Sequence, residues 1–315
     1  MIDIKVSVIV PNFNHSKFLK QRLNSVFNQK YENFEVIFLD DRSTDNSCSI
    51  IEKYINHSKL SYVIYNNYNS GSTFKQWKKG IKLAKGEYIW IAESDDVASN
   101  NFLSTLVPIL ENDKSIGVAY CQSDIIDENS KFLFNERAWF DALDTNRWAT
   151  SFKTTGKSHV LKYMSEYNTI PNASAVLFRR NLFVLSDIPT QFKYMGDWFF
   201  WVNLLTKCNL YYFATPLNQF RSSSQTTRSD NSIKKKKKMI EEEIILKNKL
   251  LNFFPRCSKF NKSLNDIYLS YIKFNSLKSI LISNFFWRYC VLKHPLIIFQ
   301  CIKKKYSYKL VKFGL

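Results

Sequence analysis

Residues 87–96 read Glu-Tyr-Ile-Trp-Ile-Ala-Glu-Ser-Asp-Asp, an apolar run that breaks off into acids. Tyr88, Ile89, Trp90, Ile91 and Ala92 read as a strand covered on both faces. Asp95 and Asp96 at its C-terminal end repel one another and need a partner. A hard divalent cation is the usual partner of such a carboxylate pair, and carboxylate oxygens suit Mg²⁺ or Mn²⁺. In open α/β sheets, ligands bind outside the carboxyl ends of the strands, where this pair would sit. Ser-Asp-Asp is equally ordinary helix-start chemistry, so the pair on its own leaves both readings open.

The segments on either side repeat the design. Residues 6–10 (VSVIV) form a strand stopped by the turn residues Pro11, Asn12, Phe13 and Asn14. Phe18, Leu19, Arg22, Leu23, Val26 and Phe27 follow at helical spacing. Residues 34–39 (FEVIFL) make a second strand that also ends in two acids, Asp40 and Asp41. A helix through about residue 54, a strand at 62–65, and a helix at 74–84 that stops at Gly86 then lead into the strand at 88–92. Such strand–helix alternation with short links predicts a mostly parallel, Rossmann-like α/β sheet with helices on both faces. Beyond it a helix at 102–110 and a strand at 118–121 are expected. Residues 124–168 have little clean period and suggest an insertion or a rearranged sheet edge. A strand at 175–178, an aromatic helix from Gly196, and late strands at 211–213 and around 220–221 complete the first part.

The chain has 315 residues, 45% hydrophobic and 16% aromatic, enough to bury a substantial core. Its six cysteines are scattered without CxxC or metal-ligand spacing and suit a reducing compartment. No apolar run is long and uncharged enough to span a bilayer, and the N-terminus enters a strand pattern without a signal peptide. A cytoplasmic chain is expected, peripheral at most to the inner face of the cell membrane. The net charge of +18 is concentrated at the end: residues 226–315 hold 20 Lys/Arg against 5 Asp/Glu. From Lys234 five lysines precede Glu241, Glu242 and Glu243, opening a basic helix with opposite charges at pairing distance.

Four carboxylates on one sheet rim are hard to explain structurally and together suit a nucleotide with a metal. Neither GxGxxG nor GxxxxGK[ST] is present, which disfavours dinucleotide-binding and P-loop enzymes. Nucleic-acid binding through the basic tail is opposed by the acidic rim, which would repel phosphate, and the tail matches no nucleic-acid-binding motif.

VSVIVPNFN (6–14), SVFNQ (25–29), FEVIFLDDRSTDNS (34–47) and GEYIWIAESDD (86–96) resemble the family 2 inverting glycosyltransferases, in the right order and spacing, most strongly over residues 4–125. The resemblance implies a GT-A fold over residues 1–228, with a nucleotide-sugar half (1–123) and an acceptor half (124–228). Residues 229–315 form an appended helical, aromatic-rich segment. It also implies roles. Pro11 and Phe13 line the base pocket, Asp41 reads the base edge, Asp95 contacts the ribose and Asp96 holds Mn²⁺ or Mg²⁺. Asp40 is implied to be a structural neighbour. Asp197 takes the place of the catalytic base, although Gly196 stands where the family commonly has Glu. Arg221 and Arg228 are expected at the diphosphate, where many relatives carry a histidine. The processive QxxRW motif is missing, since residues 144–148 lack the Gln. The implied reaction is a single sugar transfer from a nucleoside-diphosphate sugar, UDP by default, to a saccharide or lipid-linked acceptor of surface polysaccharide. A catalytically inactive scaffold of the same fold is the alternative. The basic, aromatic tail suits an anionic membrane surface.

Overall fold

The computed structural model describes residues 4–222, 232–255, 258–276, 279–280, 282–296, 298–299 and 303. They fall into two compact units, residues 1–225 and 226–315.

In the first unit, β1 (Val6–Asn12), α1 (Ser16–Phe27), β2 (Phe34–Asp40), α2 (Ser47–Glu52), β3 (Leu60–Tyr65), α3 (Thr73–Leu83) and β4 (Tyr88–Ile91) follow one another as the sequence pattern predicts. The strands lie in the order β3-β2-β1-β4, all parallel. Every residue of β1, β2 and β4 is buried, which is why these strands are runs of Val, Ile, Phe and Trp without polar alternation. Val6, Val8, Val10, Phe38, Trp90, Leu19, Leu23 and Phe102 share one core cluster. On the other face, Ile9 lies so close to α3 that a Cβ on Gly80 would come within 2.4 Å of it. Because β2 and β4 flank β1 on opposite sides, the strand order reverses at β1. The carboxyl ends of β1 and β4 bound the crevice where open α/β sheets take ligands.

The sheet continues with β5 (Val97–Ala98), α4 (Phe102–Asn112), β6 (Ile116–Ile126), β7 (Phe132–Asn135), β8 (Phe152–Thr155), α5 (Gly156–His159), β9 (Val176–Arg179), α6 (Gly196–Leu205) and β10 (Asn209–Arg221). β9 runs antiparallel between β4 and β6 and ties the two halves together. The weakly patterned stretch after residue 124 contains the rearranged edge: β7 adds to β6 and β8 to β10, both antiparallel. The two late strands expected at 211–213 and around 220–221 are one strand. β10 stays paired with β6 throughout by shifting register on both sides of Pro216, which has no N–H to offer the ladder. That irregularity splits the pattern in the sequence but not the pairing.

In the second unit, α7 (Ile233–Phe253) and α8 (Ser258–Phe274) precede a short helical turn at Asn284–Phe286. Its interior is built on Ile244, Leu264, Tyr268, Tyr271, Ile272, Ile280, Phe286, Cys290 and Ile298. The opposite charges of α7 meet as expected, with Lys238 3.5 Å from Glu241 and Lys247 3.7 Å from Glu243. Among the described residues, no helix is long and apolar enough to cross a membrane.

The turn into β4 depends on Gly86, where a Cβ would lie 2.5 Å from the backbone nitrogen of Ser7 and 2.7 Å from the carbonyl carbon of Val6. Backbone cannot move aside as a side chain can, so Gly86→Ala is expected to cost at least about 2 kcal/mol. Urea denaturation of the two proteins checks this.

Candidate active site

The first rim loop is braced before any ligand arrives. Asp40, at the end of β2, is buried and accepts from Asn12 Nδ2 (2.9 Å), Ser43 N (2.8 Å) and Ser43 Oγ (2.6 Å). Asn14 has a left-handed backbone (φ 54°), which Asn tolerates, and its side chain accepts from Thr44 N at 2.7 Å. Asp40 is therefore a structural brace between the loops after β1 and β2. Pro11 is buried within β1, whereas Phe13 just beyond it is 44% exposed. Asp41 is buried and bound to the loop before α3. It takes hydrogen bonds from Asn66 Nδ2 (2.7 Å), Ser70 N (2.9 Å), Ser70 Oγ (2.8 Å) and Gln76 Nε2 (2.8 Å). Three of these reach Oδ1 and one reaches Oδ2, so Oδ2 keeps acceptor capacity.

The acid loop after β4 is organised from below by a buried cation. Arg22, on the buried and mostly apolar face of α1, is fully buried. Its Nε donates to Glu93 O (2.7 Å) and its Nη2 to Ser174 Oγ (2.9 Å), while Nη2 lies 3.9 Å from Asp96 Oδ2. Its guanidinium also lies over the Trp90 ring, 5.8 Å from the centroid. Asp96 faces inward: Oδ1 accepts from Arg221 N (2.9 Å) and Oδ2 from Asn172 Nδ2 (2.9 Å). Asp95 is its partly exposed neighbour. His15 Nδ1, at the start of α1, lies 2.8 Å from Ser94 Oγ and pins the middle of the loop.

Arg221, expected at the diphosphate, is engaged within the protein. Its guanidinium is buried over the Phe18 ring and its donors go to Asp95 O (2.7 Å), Asp127 O (2.7 Å), Ser130 Oγ (3.1 Å) and Gln21 Oε1 (2.8 Å). It is a second clamp on the acid loop. Arg228 lies outside the described residues.

Asp197 sits in the first turn of α6 and accepts from Asn168 Nδ2 at 3.0 Å. The chain has Gly at 196 for a steric reason: a Cβ there would lie 2.5 Å from Phe74 Cε2 and Cζ. Phe74 and Trp77 both belong to α3. Trp77 Nε1 donates to Glu93 Oε1 at 2.8 Å, and its ring packs on Phe200 and Trp201 of α6. One helix thus holds the start of α6 and the acid loop side by side.

Burial raises Glu93 to about 8, with Asp95 and Asp96 adding to it. Burial and the charge of Asp95 also raise Asp96, opposed by Arg22. Asp95 and Asp96 offer hard oxygen donors in the chemistry that Mg²⁺ and Mn²⁺ prefer. Among the described residues, no group of three His, Cys, Asp or Glu side chains is arranged to hold a metal by itself. Mg²⁺ ordinarily binds through one or two carboxylates plus substrate phosphates and water, so the pair fits an ion that binds together with its nucleotide.

The family described as Glycosyl transferase family 2 matches residues 7–179. The chain belongs to glycosyltransferase family 2. Glycosyltransferase GlyG of Streptococcus pneumoniae is 35% identical over 129 residues, spanning 40% of this chain and 42% of that protein. The poly(ribitol-phosphate) beta-N-acetylglucosaminyltransferase TarS of Staphylococcus aureus is 35% identical over 114 residues, 36% of this chain and 20% of TarS. The chain therefore matches less than half the length of each of these relatives. Among solved structures, TarS 1-349 in complex with UDP-GlcNAc superposes with a TM-score of 0.64 at 20% identity, covering 95% of this chain and 79% of that one. A mannosyltransferase from Pyrobaculum calidifontis in complex with GDP-Man and Mn²⁺ gives 0.55 at 15% identity, covering 88% and 78%. At these identities the superpositions establish the GT-A fold of the family.

Sequence reading missed Arg22 as a site residue, along with Glu93, Asn168, Asn172 and Ser174. Arg22 had a signal, since an arginine within the apolar face of a helix needs a buried partner. The asparagines and serine lie in irregular segments, where no period marks them.

Two predictions follow from the buried charges. Arg22→Met leaves Asp96 without its nearest counter-charge and is expected to cost about 3 kcal/mol or more. Much of that loss should disappear on an Asp96→Asn background, which a double-mutant cycle by urea denaturation measures. The raised carboxyls of Glu93 and Asp96 bind protons more readily in the folded than in the unfolded chain. Their contribution is fully present below the unfolded carboxylate range near pH 4 and is lost as pH rises toward about 8. Urea midpoints should fall over that window, and Glu93→Gln should flatten the decline; a midpoint that rises with pH in the same way in both proteins contradicts the assignment.

Proposed function

We propose that the chain is a non-processive inverting glycosyltransferase that moves a sugar from a UDP-sugar to a saccharide or lipid-linked saccharide of surface polysaccharide. The observation carrying this reading is that α3 touches three of the candidate segments: Gln76 donates to Asp41, Trp77 donates to Glu93 of the acid loop, and Phe74 packs against Gly196, next to Asp197. α3 bridges the acid loop and the start of α6. The UDP-GlcNAc and UDP complexes of TarS, which shares the fold, support UDP as the nucleotide.

The exposed ring of Phe13, two residues beyond the buried Pro11, suits stacking on the base, and the remaining acceptor site on Asp41 Oδ2 suits an N–H on the base edge. The orientation of the acid loop favours reversing the two roles implied by the resemblance. Asp96 is buried and each of its oxygens already accepts a hydrogen bond, whereas Asp95 is partly exposed, so Asp95 is the carboxylate more accessible to a Mn²⁺ or Mg²⁺ ion. Such an ion, when bound, neutralises negative charge on the departing nucleoside diphosphate. Asp197, oriented by Asn168, accepts the proton of the acceptor hydroxyl. The hydroxyl oxygen bonds to the anomeric carbon as the bond from that carbon to the diphosphate oxygen breaks, which inverts the centre. Holding acceptor and base in place turns the encounter into a unimolecular step, and proton transfer to a positioned carboxylate contributes about 10²–10⁴-fold.

Calorimetry with UDP, GDP, dTDP and CMP, with and without Mn²⁺, tests the donor site. UDP binding that Mn²⁺ strengthens at least about tenfold, with the enhancement lost in Asp95→Asn, is expected; each tenfold step is about 1.4 kcal/mol. Asp197→Asn should keep UDP-GlcNAc affinity within about threefold while slowing UDP release from that donor by about 10²-fold or more. If no nucleotide binds in the presence of Mn²⁺, the inactive-scaffold alternative stands.

A further inference from the structure

We infer that the second unit carries a docking surface for an anionic lipid bilayer, formed by Ile282, Trp287, Leu292, Leu296 and Phe299 with the basic residues beside them. The unit already has an interior: Ile280, Phe286, Cys290 and Ile298 point into its core with Tyr268 and Tyr271. Phe285, Tyr289 and Val291 pack against that core as well, whereas other apolar residues of the stretch face solvent. Ile282, Leu292, Leu296 and Phe299 are 68–78% exposed, and Trp287 is 45% exposed. Their exposure is thus not a shortage of partners in an unfinished core. Among the described residues of this stretch, some apolar side chains are spent on the core and others stand in solvent. Isolated exposed apolar residues are ordinary, but five large ones in so short a stretch mark an interaction surface.

The charge around them selects the occupant. Arg288, Lys293 and Lys303 are exposed among the apolar residues. Asp266 is the last acid of the chain, and residues 267–315 contain nine Lys/Arg and no Asp or Glu. A protein partner would commonly be met by charges of both signs, whereas an anionic leaflet presents one sign over a wide area. Apolar and aromatic side chains entering the headgroup boundary, with Lys and Arg beside them, are the chemistry of an interfacial segment. Each Lys or Arg near such a surface strengthens binding about fivefold. An enzyme acting on lipid-linked saccharide would gain from this placement, but the surface is argued independently of that activity.

Flotation of the full chain with phosphatidylcholine vesicles containing phosphatidylglycerol, compared with pure phosphatidylcholine, tests the inference. Binding at least about tenfold stronger to the anionic vesicles, weakened by salt, is expected. Leu292→Asp with Leu296→Asp, both at exposed positions, should lose that binding while far-UV circular dichroism and UDP affinity stay unchanged. Arg288→Glu with Lys293→Glu should reduce binding to the anionic vesicles to the level seen with pure phosphatidylcholine. Equal binding to both vesicle types, or unchanged binding by either double variant, overturns the inference. So does a wild-type dimer in lipid-free buffer that Leu292→Asp with Leu296→Asp converts to monomer, which would assign the face to a second copy of the chain.

Discussion

The acid loop can exist only because Asp96 is buried against arginine. A carboxylate withdrawn from water is costly unless a cation and hydrogen bonds replace the lost solvent. Arg22 supplies the near charge, Asn172 and the Arg221 backbone supply the bonds, and the Arg221 side chain holds the loop's own carbonyl. These groups come from α1, from the segment before β9 and from the end of β10. The compensation of one charge therefore requires both halves of the unit to be in place. The same requirement fixes the orientation of the loop, turning Asp96 inward while Asp95 stays partly exposed.

The rest of the site is arranged by similar couplings. Asp40 ties the loops after β1 and β2, and Asp41 ties β2 to the loop before α3. α3 then carries Phe74 against Gly196 and Trp77 against Glu93. The absence of an acid before Asp197 follows from the contact of Phe74 with Gly196, because the Phe74 ring occupies the space a side chain would need. A departure from the family's pattern is thus accommodated by packing, with the proposed base still at the start of its helix.

The second unit follows a different logic. Its core uses inward aliphatic and aromatic residues on α7, α8 and the turns beyond, while Arg288, Lys293 and Lys303 are exposed beside apolar side chains that the core does not take up. Apolar and basic residues exposed together satisfy neither water nor a mixed-charge protein surface fully, and an anionic interface satisfies both.

The strand–helix alternation, the buried character of β1, β2 and β4, and the four acids at two strand ends were legible in the sequence. Each is a local pattern: an unbroken apolar run, a 3.6-residue period, or a carboxylate at a run's end. The steric role of Gly196, the clamping role of Arg221 and the inward turn of Asp96 were not legible. Residues 124–168 resisted reading because short antiparallel edge strands and single turns have too few residues to show a period. The single strand β10 was split in the reading by the irregularity at Pro216. By itself the sequence determined the family, the parallel sheet and the rim on which chemistry would gather. Only the tertiary structure decided which carboxylate is buried and which arginines are committed to it, because those depend on groups more than seventy residues apart meeting one another out of water.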